Sequence, residues 1–183
     1  VQLVVGHFDK AKESLLAVLR DELAAIPSKL AALEGLARIY LAFGQLNEAE
    51  QTLRDLRDRA TQHERAISIY HVRWASITEA RLLMRRGAFD EAIKGLTVAE
   101  ELFQGVGDIP LAATVHLVAA QVLARTAAFG EAARRLINAS ELDATGIRGL
   151  QAQYYYASAL VLRGLGSPLE QHLRDRAIRL WAD

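Results

Sequence analysis

Along the chain, apolar side chains recur at intervals of three and four, the spacing that gathers them on one face of an α-helix. Ala37 and Tyr40, Ala80 and Leu83, Ala120 and Leu123, and Ala157 and Leu160 each show this step, and no stretch alternates in the manner of a strand. The pattern predicts one helix over Phe8–Ala25 and then four pairs: Ser28–Phe43 with Leu46–Ala60, Gln62–Arg86 with Phe89–Phe103, Ile109–Thr126 with Phe129–Leu142, and Ile147–Arg163 with Pro168–Trp181. Stop signals separate them. Ile26-Pro27 interrupts the pattern, Thr145-Gly146 ends a pair, and Gly105-Val106-Gly107-Asp108 offers Asp108 as an N-cap. Pro168 falls near a helix start, where its missing N–H costs little.

The blocks repeat. Gly6-His7-Phe8-Asp9-Lys10-Ala11, Gly44-Gln45-Leu46-Asn47-Glu48-Ala49, Gly87-Ala88-Phe89-Asp90-Glu91-Ala92 and Ala127-Ala128-Phe129-Gly130-Glu131-Ala132 share a small residue, a large apolar residue two later and an alanine three beyond. A leucine follows four residues on, at Leu15, Leu53, Leu96 and Leu136. The small residues are spaced by 38, 43 and 40, and a weaker fifth copy starts at Gly164, 37 further on, keeping Leu173. Seven residues before each turn from the second onward stands an alanine: Ala37, Ala80, Ala120 and Ala157. Each unit therefore reads as helix, tight turn, helix. The small turn residue closes the first helix in a left-handed conformation, and the alanines permit a close crossing of axes.

This pattern resembles the tetratricopeptide repeat family, in extended units of about 40 residues similar to those of large bacterial transcription regulators and signalling proteins. The resemblance implies an all-α fold, a right-handed α-α superhelix or solenoid of antiparallel helix pairs. It implies a single domain over 1–183 with units of approximately 1–26 (partial), 27–61, 62–106, 107–145 and 146–183. Val1 to Val5 read as the end of a first helix, and with the single internal Met84 the chain reads as a fragment of a larger protein. The repeat runs longer than the family's usual 34 residues, and the proline that commonly closes a unit is displaced to Pro27 and Pro110.

Composition narrows the function without naming it. Alanine (32) and leucine (28) favour helices, and the absence of cysteine removes thiol nucleophiles, disulfides and Cys-ligated zinc. With 22 basic and 22 acidic side chains the chain carries no electrostatic footprint for nucleic acid, and its apolar stretches fall short of the roughly 20 residues of a membrane span. Histidines 7, 63, 71, 116 and 172 form no ligand pair at one-turn spacing, and no nucleophile elbow or phosphate loop is present. Adjacent acids such as Glu100-Glu101 read as solvated surface. The chain is expected to be non-catalytic, to take no cofactor or metal, and to be cytoplasmic.

In the resembled family the first helices line a concave groove that holds a peptide or partner helix. Carrying that pattern over, the residues three before and one after each anchor alanine are Glu34 and Arg38, Ile77 and Arg81, Leu117 and Gln121, Tyr154 and Ser158; five after stand Ala42, Arg85, Arg125 and Leu162. Trp74 and Tyr155 add aromatic surface, whereas Tyr156 is expected in the core and Phe8, Phe89 and Phe129 between helices. Arg81, Arg85 and Arg125 suit an acidic partner, because guanidinium forks bind carboxylates. Glu79 and Glu91 are the carboxylates placed to pair with arginines instead. Two readings follow: a protein-interaction scaffold, regulating a larger transcription regulator or signalling protein through its other domains, with a homodimer among the contacts open to it; and a receptor for a small ligand or signalling peptide.

Overall fold

The computed structural model describes residues 8–62, 70–105, 107–144 and 146–182, and these are all-α. The helices are α1 (Phe8–Arg20), α2 (Ile26–Ala42), α3 (Leu46–Thr61), α4 (Tyr70–Arg85), α5 (Phe89–Gly105), α6 (Ile109–Arg125), α7 (Phe129–Asn138), α8 (Glu141–Ala144), α9 (Arg148–Gly164) and α10 (Glu170–Ala182). No strand occurs among the described residues. The helix pairs expected from the sequence are present, with three differences. α1 ends at Arg20, the Phe129–Leu142 helix is divided into α7 and α8, and the start of the long Gln62–Arg86 helix, like the segment Val1–Val5, lies outside the described residues.

The turns explain the period. Gly44, Gly87, Gly107, Ala127 and Gly166 all have positive φ, from 61° to 77°. At Gly44 the next amide, Gln45 N–H, donates to the Tyr40 carbonyl at 2.8 Å; Asp108 to Phe103, Ala128 to Leu123 and Ser167 to Leu162 repeat the bond at 2.9–3.0 Å. Each is a six-to-one closure that satisfies carbonyls the helix end leaves open. The fifth copy is thereby corrected: its left-handed turn is Gly166, and Gly164 lies inside α9. Asp108 caps α6 as expected, its carboxylate accepting the Leu111 amide at 3.3 Å.

The repeated small residues are the packing contacts. Ala37, Ala49, Ala92, Ala120 and Ala132 are fully buried, and Ala80 and Ala157 nearly so. The following leucines, Leu53, Leu96 and Leu136, are buried beside them. The chain divides into two compact units, 1–86 and 87–183, the boundary falling in the turn between α4 and α5. In the first, Leu30, Leu33, Leu41, Leu53 and Leu56 pack around the alanines, and Gly35 lets α1 approach, a Cβ there meeting Leu15 Cδ1 at 2.9 Å. In the second, Leu117, Leu136, Leu142 and Val161 fill the core between α6, α7, α8 and α9.

Candidate functional site

In the first unit, α2 and α4 are packed together and bring four of the expected groove residues into one cluster. Glu34 and Arg38 are one turn apart on α2; Trp74, Thr78 and Arg81 follow at steps of four and three on α4. Glu34 is buried, and Thr78 Oγ1 donates to its Oε1 at 2.8 Å. The Arg38 guanidinium stands 3.8 Å from the other carboxylate oxygen and 5.8 Å from the centre of the Trp74 ring, while its side chain stays exposed. Desolvation pushes Arg81 down to about 10, Arg38's like charge adding to the shift and Glu34 opposing it. The patch joins one carboxylate and two guanidinium groups to an aromatic face. Arg85 is exposed at the end of α4. Ile77, by contrast, is fully buried and belongs to the core instead of a groove. Glu79 pairs with Arg57 at 2.6 Å.

The second unit places its expected residues less uniformly. Leu117 is fully buried, Gln121 half-buried and Arg125 exposed. Tyr154 is half-buried, which pushes its phenol up, and Ser158 donates to the Tyr154 carbonyl at 2.9 Å on its own helix. Tyr155 is buried: its hydroxyl donates to Asp143, Arg176 lies 4.1 Å over its ring, and burial together with that hydrogen bond pushes it up to about 12. Tyr156, expected in the core, is 39% exposed and stacks at 5.6 Å on the exposed Trp181. The two tyrosines thus exchange roles.

The turn at Gly166 accounts for that exchange. Counting seven back from Gly166 gives Ala159, also buried, as the anchor of the fifth unit. The rule of three before and one after then selects Tyr156 and Leu160, and five after selects Gly164. These three line a cavity of about 510 Å³ with Arg125, Ala124, Phe129 and Arg163. The signal was present in the sequence as a choice between two glycines two residues apart.

A further polar group escaped the sequence. Glu100 from α5, His116 from α6 and Arg135 from α7 meet in the second unit: Arg135 Nη1 pairs with Glu100 and donates to His116 Nδ1 at 3.2 Å, and His116 Nε2 is 3.6 Å from Glu100. Glu100 is therefore held in an ion pair, not loose on the surface. Beside it is a cavity of about 270 Å³ lined by Phe103, Gln104, Asp108, Ile109, His116, Asn138 and Glu141, among others.

A tetratricopeptide repeat model matches residues 5–70. That segment is similar to the tetratricopeptide repeat family. The α1–α2–α3 turns and buried alanines described above are its repeat contacts, and the Glu34–Arg38 half of the polar cluster falls inside it. Across the whole chain the all-α fold is similar to that of a solved structure: the crystal structure of BtubC (BKLC) from P. vanneervenii superposes with a TM-score of 0.67 at 15% identity, covering 98% of this chain and 72% of that one. No curated protein matches the chain. Tetratricopeptide repeats generally mediate protein–protein interaction. Among the described residues no helix is long and apolar enough to cross a membrane, and no group of three or more His, Cys, Asp or Glu could hold a metal ion.

Proposed function

We propose that the chain is a non-catalytic interaction module that holds an acidic segment of a protein partner on the first helices of its repeats. The observation carrying this reading is the α2–α4 cluster, in which the exposed Arg38 guanidinium stands beside Trp74 over the buried Glu34. A buried carboxylate holds the arginines in place, and the exposed Arg38 and Arg85 present forks to a partner's carboxylates. The contributing residues are Glu34, Arg38, Trp74, Arg81 and Arg85 in the first unit, and Gln121, Arg125, Tyr154 and Ser158 in the second. The repeat length, with spacings of 38 to 43, supports a place as the regulatory or sensor region of a larger, cytoplasmic bacterial transcription regulator or signalling protein.

Selection of a displayed random 12-residue peptide library tests the reading. Acidic sequences are expected to enrich on the native chain and to lose binding to the Arg38→Glu/Arg85→Glu variant at unchanged helicity and melting temperature. Enrichment of no sequence, or retention by the variant, removes it. A second reading, a receptor for a small ligand, is favoured by the polar cavity beside His116. There a small molecule would raise the melting temperature in proportion to the logarithm of its concentration.

A further inference from the structure

We infer that the cavity formed by α5, the end of α6 and the start of α7 in the second unit binds a free α-amino acid with a branched aliphatic side chain. The site shares no residue with the groove of the proposed function and does not depend on that reading. Matched positions in two copies of the repeat point to it.

In the first unit, Arg86 precedes the Gly87 turn and reaches from the end of α4 to the start of α3, where its Nη2 donates to Asn47 Oδ1 at 3.0 Å and pairs with Glu50 Oε2 at 2.7 Å. Asn47 and Glu50 lie three and six residues after Gly44. The same counts after Gly87 give Asp90 and Ile93 on α5, and Thr126 precedes the Ala127 turn as Arg86 precedes Gly87. The second unit therefore sets a carboxylate at this place and supplies no cation to it from α6. Between α7 and α9 the matched residues are Gly130, Ala133 and Leu165, with neither charge.

A cavity of about 320 Å³ opens where the counterpart of Arg86 is missing. Its floor is apolar: Ile93, Leu123 and the fully buried Val122, with Phe89 beside them. Its rim carries Asp90 and Lys94, one turn apart on α5, Thr126 at the C-cap of α6 and Glu131 from the first turn of α7. Asp90, Lys94 and Glu131 form no ion pair among the described residues, in contrast with Glu50, Glu79 and Glu100, each of which meets an arginine. The C-terminal end of α6 adds negative potential to the two carboxylates. An ammonium, with three N–H donors, thus takes the place that the Arg86 guanidinium fills in the first unit. Lys94 is then left to meet a carboxylate as a point charge, and the aliphatic floor to cover a side chain. A volume at the lower end of the range for small-ligand sites suits one amino acid and leaves little room for a peptide.

Isothermal titration calorimetry of the whole chain with L-leucine tests this, against glycine, isoamylamine, which lacks the carboxylate, and isocaproate, which lacks the ammonium. Leucine is expected to bind and to raise the melting temperature, isoamylamine to bind about tenfold more weakly, and glycine and isocaproate not to bind. Asp90→Asn should weaken leucine binding by about tenfold or more, and Lys94→Met should make leucine and isoamylamine bind alike. Thr126→Arg supplies the cation that Arg86 gives the first unit. It should abolish binding while the melting temperature of the ligand-free chain stays level or rises. Equal affinity of the parent for leucine and isocaproate, or for leucine and isoamylamine, overturns the proposal, as does a chain that takes up no leucine or a Thr126→Arg variant that binds it as the parent does.

Discussion

Each unit holds a glutamate among its packed helices, fully buried in the first and half-buried in the second, and the two solve the same problem differently. In the first, Glu34 is almost completely enclosed, its side chain 3% exposed, with a neutral donor from Thr78 and the Arg38 guanidinium at 3.8 Å. In the second, Glu100 keeps 19% of its side chain exposed and pairs directly with Arg135, which is itself 22% exposed. A carboxylate shut away from water depends on every partner it has, because nothing replaces a lost hydrogen bond. One at the edge can exchange a lost partner for solvent. The first arrangement therefore fixes the geometry of α2 against α4 and holds Arg38 beside Trp74. The second ties α5, α6 and α7 together and tolerates substitution.

The largest expected effect follows from that difference. Glu34→Ala should destabilise the chain by about 3 kcal/mol, since it leaves the buried Thr78 hydroxyl without its acceptor and removes the charge that offsets the desolvation of Arg81. Glu100→Ala should cost about 1 kcal/mol, as Arg135 turns to water. Urea denaturation read by circular dichroism measures both; equal losses would erase the distinction. Next in size, Gly164→Val should cost about 2 kcal/mol by forcing Phe129 away from α9. The same change at Gly95 on α5, where an added Cβ meets nothing within 4 Å, should cost well under that. A similar cost at both glycines would mean that helix propensity alone, and not the Phe129 contact, sets the penalty at Gly164.

The sequence showed the repeat clearly because its signal is chemical: small residues recur wherever two axes cross closely, and Ala37, Ala80 and Ala120 are buried for that reason. It also brought Glu34, Arg38, Trp74 and Arg81 together, since residues on facing helical stripes follow from spacing once the pairing is known. What it could not give was rotational phase in the weakest copy. Choosing Gly164 over Gly166 shifts the reading of α9 by two residues, about 200° around the helix, which exchanges Tyr154 for Tyr156 in the rule of three before the anchor. Glu100, His116 and Arg135 lie on three helices at separations with no fixed periodic relation, so only packing reveals them.

The turns offer a smaller test with opposite signs in the two units. Ala127 is a non-glycine residue with positive φ, at 61°, whereas Gly44 adopts 71° without strain. Ala127→Gly should stabilise by about 1 kcal/mol and Gly44→Ala should destabilise by about as much. Thermal melting of the single variants checks the signs, and the double variant should return close to the starting value, because the sites are distant and share no partner.

The smallest effect lies in the pH dependence that His116 brings to the second unit. Arginine has no acceptor, so the Arg135 bond to Nδ1 requires that nitrogen to be unprotonated and leaves the ring proton on Nε2, toward Glu100. Burial holds the imidazole below its ordinary value of 6.5; Glu100 opposes that shift and Arg135 reinforces it. A depressed value means that, as pH falls below about 6.5, the unfolded chain takes up a proton that the folded chain resists. The native state is then fully stable with respect to this group above that pH and loses stability below it, until the folded ring also protonates. His116→Gln, which can still accept from Arg135, should flatten that decline between pH 7 and 5 relative to the parent. A decline that His116→Gln leaves untouched would move the titrating group elsewhere in the chain and separate the Arg135 contact from any acid sensitivity.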